Sequence, residues 1–196
     1  MLMRAILPFL ALLPVLFMTA CTPGIATLPG GASTEPTLHA LPVTGNALAP
    51  PNTLPVAETQ GAARMPDGAE LPYTRWLPAG QPVQGVILAL HGFNDYRNAF
   101  ATAGPLLAAS GQAVYAYDQR GFGQAPSRGR WAGTARLTGD LKQMTDLVRT
   151  QHPGAPVTLL GVSMGGAVVL SALAAPMPPA AARAILVAPV VWGRAT

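Results

Sequence analysis

Val157-Thr158-Leu159-Leu160-Gly161-Val162-Ser163-Met164-Gly165-Gly166-Ala167-Val168-Val169-Leu170 is the stretch around which the chain is organised. A β-branched and leucine run meets Gly-x-Ser-x-Gly, and an Ala/Val/Leu run of helical character follows. Strand, sharp turn and helix in that order make a nucleophile elbow. Such a turn forces Ser163 into a strained backbone conformation and lifts its hydroxyl clear of the sheet. Gly161 and Gly165 flank it because a side chain at either position would collide with neighbouring backbone. Ser163 is therefore the candidate nucleophile. The strand before and the helix after weigh against an incidental Gly-rich helix start.

Composition sets the wider frame. Of 196 residues, 50% are hydrophobic and 10% charged, which excludes a disordered chain and a coiled coil and suggests one domain, or one domain with appendages. The net charge of +4 is modest and no basic run stands out. Arg128, Arg130 and Arg136 gather loosely in a loop and a helix start, and read as a solvated rim rather than an anion site. Nucleic acid, which wants a denser stripe with interleaved aromatics, is not an expected partner. Cys21 is the only cysteine, so no intrachain disulfide forms. No Cys/His spacing suggests zinc, and neither a metal nor a cofactor is expected.

Outward toward the N-terminus, residues 1–20 read as a secretory signal. Arg4 supplies the positive charge, and Ala5 to Met18 is an apolar stretch too short to span a bilayer comfortably. It ends Met18-Thr19-Ala20-Cys21, similar to the lipobox of bacterial lipoproteins, which would make Cys21 the lipid attachment site. Met18 stands where leucine is usual, so cleavage by the ordinary signal peptidase stays open as the second reading. The expected location is the bacterial cell envelope, either lipid-anchored or periplasmic and secreted. Residues 21–56 are rich in Pro, Gly, Thr and Ala without a sustained period, and read as a linker that would hold a domain off a membrane surface.

Residues 57–196 are expected to form the folded part. Arg64 to Leu77 looks like a hairpin turning at Asp67-Gly68, with Pro72 suggesting an edge or a strand start. Val83 to Leu90 has the continuous apolar pattern of a strand buried on both faces. A helix is expected from a cap at Asn94 or Asp95 to Ser110, broken or kinked at Pro105. Ala113 to Tyr117 is the next strand. The helix from Thr134 has Leu137, Leu141, Met144 and Leu147 or Val148 on one stripe, with Asp140 off it. The elbow strand and helix follow, then a strand from Arg183 to Ala188. A hairpin and then alternating strands and helices define an α/β class with a mainly parallel sheet and helices on both faces.

Three stretches, His91-Gly92-Phe93, Asp118-Gln119-Arg120-Gly121-Phe122-Gly123 and Gly161-Val162-Ser163-Met164-Gly165-Gly166, each end an expected strand, where ligands bind in open α/β sheets. Together they resemble the α/β-hydrolase superfamily, nearest its monoacylglycerol lipase and lysophospholipase-like branch. The resemblance implies a serine hydrolase acting on a small-molecule ester or lipid. It also implies an oxyanion hole built from the backbone N–H of Met164 and that of Phe93, the alternative for Phe93 being an apolar loop residue that merely packs. Ester, thioester and amide chemistry share these residues and are not separated by them.

One element of the resemblance is missing. In this fold the triad runs Ser, then Asp or Glu, then His, yet neither an acid nor a histidine follows Ser163. His39 lies in the linker, His91 in the oxyanion loop, and His152 a strand's length from the serine. Asp118 ends a strand on the catalytic side but has no histidine to orient. The expectation is an incomplete α/β-hydrolase fold, ending before the cap and the rest of the triad and inactive as it stands. A truncated or frameshifted gene accounts for this more simply than a shortened working enzyme. The competing class is a non-catalytic envelope lipoprotein that keeps the elbow as architecture.

Overall fold

The computed structural model describes residues 56–191. The signal-like segment, Cys21 and the linker up to residue 55 lie outside the described residues, as do residues 192–196.

The chain opens with two long strands, β1 (Val56–Arg64) and β2 (Glu70–Pro78), paired antiparallel so that Arg64 faces Glu70. The connection turns at Gly68, whose φ of 84° suits a residue without a Cβ, and Met65 and Ala69 close it with a 2.7 Å backbone bond. From here the chain alternates: β3 (Gly85–Leu90), α1 (Ala103–Ala109), β4 (Gln112–Tyr117), α2 (Thr134–Gln151), β5 (Val157–Val162), α3 (Met164–Leu173) and β6 (Arg183–Val187). The sheet order is β1-β2-β4-β3-β5-β6. β2 meets β4 antiparallel, and β4, β3, β5 and β6 run parallel.

Strand alternation divides the core in two. Val86, Leu88 and Leu90 of β3, with Ala113, Tyr115 and Tyr117 of β4, face Leu137, Leu141, Met144 and Val148 of α2 and Val168, Val169 and Ala172 of α3. The residues between them, Ile87, Ala89, Val114 and Ala116, join Trp76, Phe100 and Ala108 on the α1 side. Burial on both faces explains why β3 and β4 read as unbroken apolar runs. At β6 the two faces differ. Leu186 packs against the core, while Ile185 and Val187 opposite are 48% and 47% exposed.

Several local expectations are corrected. The single helix expected over 94–110 is two pieces, a 3₁₀ turn (Arg97–Phe100) and then α1. Pro105 falls in the first turn of α1, where no intrahelical partner exists for its missing N–H, so it neither breaks nor kinks the helix. Asn94 and Asp95 cap nothing; the residues preceding the two pieces are Tyr96 and Thr102, neither making a side-chain cap bond. Pro72 lies inside β2, an interior strand. Its carbonyl accepts the Asp118 N–H at 2.8 Å where the ladder to β4 runs out, so the N–H it lacks would have added only a last rung. Asp140, expected off the apolar stripe of α2, is buried.

Candidate active site

The turn between β5 and α3 has the strained geometry that Gly-x-Ser-x-Gly implies. Ser163 takes φ 51° and ψ −114°, a conformation that costs on the order of 1–3 kcal/mol for a non-glycine residue. Neighbouring chain holds it there. Its N–H donates to Val187 O at 2.9 Å, and its carbonyl accepts from Val190 N at 3.2 Å as well as from Ala167 N in the first turn of α3. The flanking glycines are steric necessities. A Cβ on Gly161 would lie 2.6 Å from Gly165 O, and one on Gly165 would lie 2.4 Å from Leu90 O. Gly166 is confined less severely, since a Cβ there would stand 2.9 Å from the Pro189 Cβ.

The loop after β3 closes on this turn. A Cβ on Gly92 would lie 3.4 Å from the Ser163 Cβ and 4.0 Å from its Oγ, so His91-Gly92-Phe93 passes directly beside the serine. Among the described residues, neither the Phe93 nor the Met164 N–H donates to a protein acceptor. Met164 is the first residue of α3, where unpaired donors and the helix dipole favour an anion. The Met164 side chain is buried, whereas the Phe93 ring is 68% exposed and touches Phe122 edge-on at 5.5 Å.

His91 is fully buried and both of its ring nitrogens are engaged. Nε2 accepts the Gln119 N–H at 3.0 Å, which places the proton on Nδ1, 2.8 Å from Gly92 O. The Gln119 side-chain amide donates back to His91 O at 2.8 Å, completing a clip between the loops after β3 and β4. Burial pushes the His91 pKa below the ordinary histidine value, outweighing the bond to Gly92 and the charges of Asp118 and Asp95. A neutral ring with no free nitrogen holds a loop; it does not abstract a proton from Ser163. His152 bonds the Tyr115 hydroxyl through Nε2 at 2.7 Å, and the whole of β5, about 20 Å at roughly 3.3 Å per residue, separates it from the serine.

The loop after β4 is organised by charge. Asp118, fully buried, accepts the Arg97 N–H at 2.8 Å, the Gln124 N–H at 2.7 Å and the Arg97 guanidinium, which also reaches Gln124. Arg120 grips both oxygens of Asp140, at 2.9 and 2.7 Å, and reaches Asp67 in the β1–β2 turn at 2.9 Å. The Asp140 bonds, reinforced by Asp67, hold the guanidinium pKa above its already high ordinary value. Hydrogen bonding from Arg120 in turn draws the Asp67 carboxyl below the usual range. Sequence reading missed these pairs; the available signal was an acid, Asp140, three residues from Leu137 on an apolar helix face.

Between the two loops opens a cleft of about 580 Å³, lined among others by Phe93, Asp95, Phe122, Arg128, Arg130 and Trp131. Among the described residues, no cluster of His, Cys, Asp and Glu could hold a metal ion.

A family model described as serine aminopeptidase, S33 (Hydrolase_4) matches residues 81–196. Monoacylglycerol lipase from Mycolicibacterium smegmatis is 29% identical over 105 residues, covering 53% of this chain and 37% of that protein. Monoglyceride lipase from Homo sapiens is 31% identical over 126 residues, covering 64% and 41%. The chain thus spans about two fifths of the length of these relatives. Among solved structures, the α/β hydrolase GrgF from Penicillium sp. sh18 superposes with a TM-score of 0.59 at 24% identity, over 69% of this chain and 47% of that one. A cold-adapted esterase from an Arctic intertidal metagenomic library gives a TM-score of 0.56 at 24% identity, over 67% and 60%.

Proposed function

The chain belongs to the serine aminopeptidase S33 family of α/β-hydrolases, and from that premise we propose that Ser163 is the nucleophile for hydrolysis of carboxylic esters, lipid esters among them. The observation that carries the reading is the elbow itself. A serine at positive φ heads a helix and lies against a loop whose N–H, like that of Met164, has no protein acceptor among the described residues. Attack of Ser163 Oγ on an ester carbonyl places negative charge on the carbonyl oxygen, and these two donors are where that charge would be met. One such donor is typically worth about 10² to 10³ in rate.

The serine proton needs an acceptor. His91 and His152, the histidines among residues 56–191, are committed elsewhere. Negligible ester turnover and very weak labelling of Ser163 by a fluorophosphonate are therefore expected of the 196 residues alone. A longer version that supplies an acid and a histidine after β6 labels rapidly, and its Ser163→Ala variant does not. Rapid Ser163-dependent labelling of the 196-residue chain would overturn this account and return His91 to consideration as the base. Stable expression of the chain with no labelling in either version would favour the second reading, a non-catalytic envelope lipoprotein that keeps the hydrolase scaffold.

The proposed location follows from the N-terminal sequence. Acylation of Cys21 would attach the protein to a bacterial envelope membrane. Labelled palmitate fed to the source cells should enter the wild type and not Cys21→Ala; equal labelling, or none in either, removes the anchor.

A further inference from the structure

Sequence reading grouped Arg128, Arg130 and Arg136 as one solvated rim, and the fold separates them. Arg136 pairs with Asp67, as Arg97 does with Asp118 and Arg120 with Asp140. Arg128 and Arg130 reach no carboxylate among the described residues, and both line the cleft beside the oxyanion loop. The acid in that cleft, Asp95, accepts the Tyr96 N–H at 2.8 Å, so two arginines against one aspartate leave the lining one positive charge in excess.

The segment carrying these arginines is closed by its own backbone. Gly121 N–H donates to Pro126 O at 3.0 Å, Gly129 N–H to Gly121 O at 2.9 Å, and Arg130 N–H to Ser127 O at 2.9 Å. A Cβ on Gly121 would lie 2.2 Å from Arg130 O, so the segment folds back tightly on its own start. Cations presented from a fixed backbone lose less freedom on meeting an anion than cations on a loose loop. Lining the same cleft are large aromatic surfaces left in water, Phe93 at 68% and Trp131 at 58% exposure, with Phe122 edge-on to Phe93. Charge and apolar rings in one lining match a molecule that carries both.

We infer that this cleft is a substrate subsite for an oxyanion carried on an alkyl or acyl chain, with Arg128 and Arg130 holding the oxyanion and Phe93, Phe122 and Trp131 the chain beside it. The inference rests on the ester-hydrolase reading for what happens next. Phe93 belongs to both the cleft and the loop that passes Ser163, so a molecule seated here lies against that loop. Guanidinium forks donate to phosphate and carboxylate oxygens alike, and the chemistry shared by the two is what the cleft selects.

The test uses the full chain and three probes below their micelle concentrations: dodecyl phosphate, dodecanoate and neutral monododecanoylglycerol. Binding is read from Trp131 emission, taken as the difference between the chain and its Trp131→Phe variant. The expected result is that at least one anion binds about tenfold or more tighter than the neutral ester. Arg128→Gln with Arg130→Gln should erase that preference while leaving neutral binding in place. Whichever anion binds tighter identifies the head group as phosphate or carboxylate. Equal affinity for charged and neutral probes overturns the subsite, and so does a preference that survives the double substitution. The hydrolase reading fails by a different readout, the absence of Ser163 labelling in the version that supplies acid and histidine. Loss of either result leaves the other standing.

Discussion

Two turns at the same end of the sheet are tied to the rest of the fold by different means. The elbow at Ser163 is fixed by backbone: glycines in contact with carbonyl oxygens, a serine at φ 51°, and bonds to the end of β6 and the residues just after it. No charged side chain takes part. The loop after β4 closes residues 121–130 on their own backbone but is tied to its surroundings by charge, with Asp118 gripped by Arg97, and Arg120 gripped by Asp140 and Asp67. Steric confinement is close to all-or-none, because backbone atoms have nowhere to go. Ion pairs give way by degrees, according to how much water reaches them.

The contrast is most exposed to attack at Gly165. A Cβ there meets Leu90 O at 2.4 Å and His91 O at 2.7 Å, so Gly165→Ala should cost about 4 kcal/mol or prevent soluble folding. Urea unfolding decides it: a loss below about 1 kcal/mol would mean that the elbow yields as easily as a loop. Next comes Asp118→Asn, which leaves the Arg97 guanidinium, 11% exposed, without its anion. A loss of about 3 kcal/mol is expected in the same measurement, and one no larger than that of an exposed pair would show that charge does not hold the loop.

A smaller effect depends on pH. The His91 pKa is lowered in the folded chain, first by burial, so below the unfolded value near 6.5 the unfolded chain binds more protons than the folded one. Its contribution is fully present above that pH and is lost as pH falls through the range beneath it. His152 is shifted in the same direction, again first by burial. Unfolding measured at pH 7.5 and 5.5 should show a smaller acid loss in His91→Gln than in the wild type. An unchanged loss would assign the effect to His152. The smallest effect is expected at Arg136→Ala. Its pair with Asp67 is exposed on both sides, and no measurable change in the urea midpoint should result. A clear destabilisation would make the outer rim part of the clamp.

What was legible beforehand follows the same division. The elbow, the hairpin and the strand order of types were open to reading because backbone constraints are local. Gly-x-Ser-x-Gly stands in one piece, Asp67-Gly68 marks its own turn, and burial on both faces leaves an unbroken apolar run. The clamp was not, because Arg97 and Asp118 are 21 positions apart and Arg120 and Asp67 are 53 apart, and nothing local announces such pairs. Asp140 misled for a related reason: an acid beside an apolar stripe reads as solvent-facing until its arginine is known. Pro105 misled differently, since a proline in a first turn and one in a helix interior look alike until the helix start is fixed.

The bonds that Ser163 makes to Val187 and Val190 also set an order of events during synthesis. A ribosome delivers the serine well before it delivers the segment that holds the serine's backbone in place. Until those later residues have left the exit tunnel, nothing on that side opposes relaxation of the turn, and β5 has no neighbour on its outer edge. Ser163 is thus made before one part of its own neighbourhood and set only when that part arrives. A nascent chain stalled between positions 170 and 186 would carry the whole motif without the two later bonds that hold the serine's backbone.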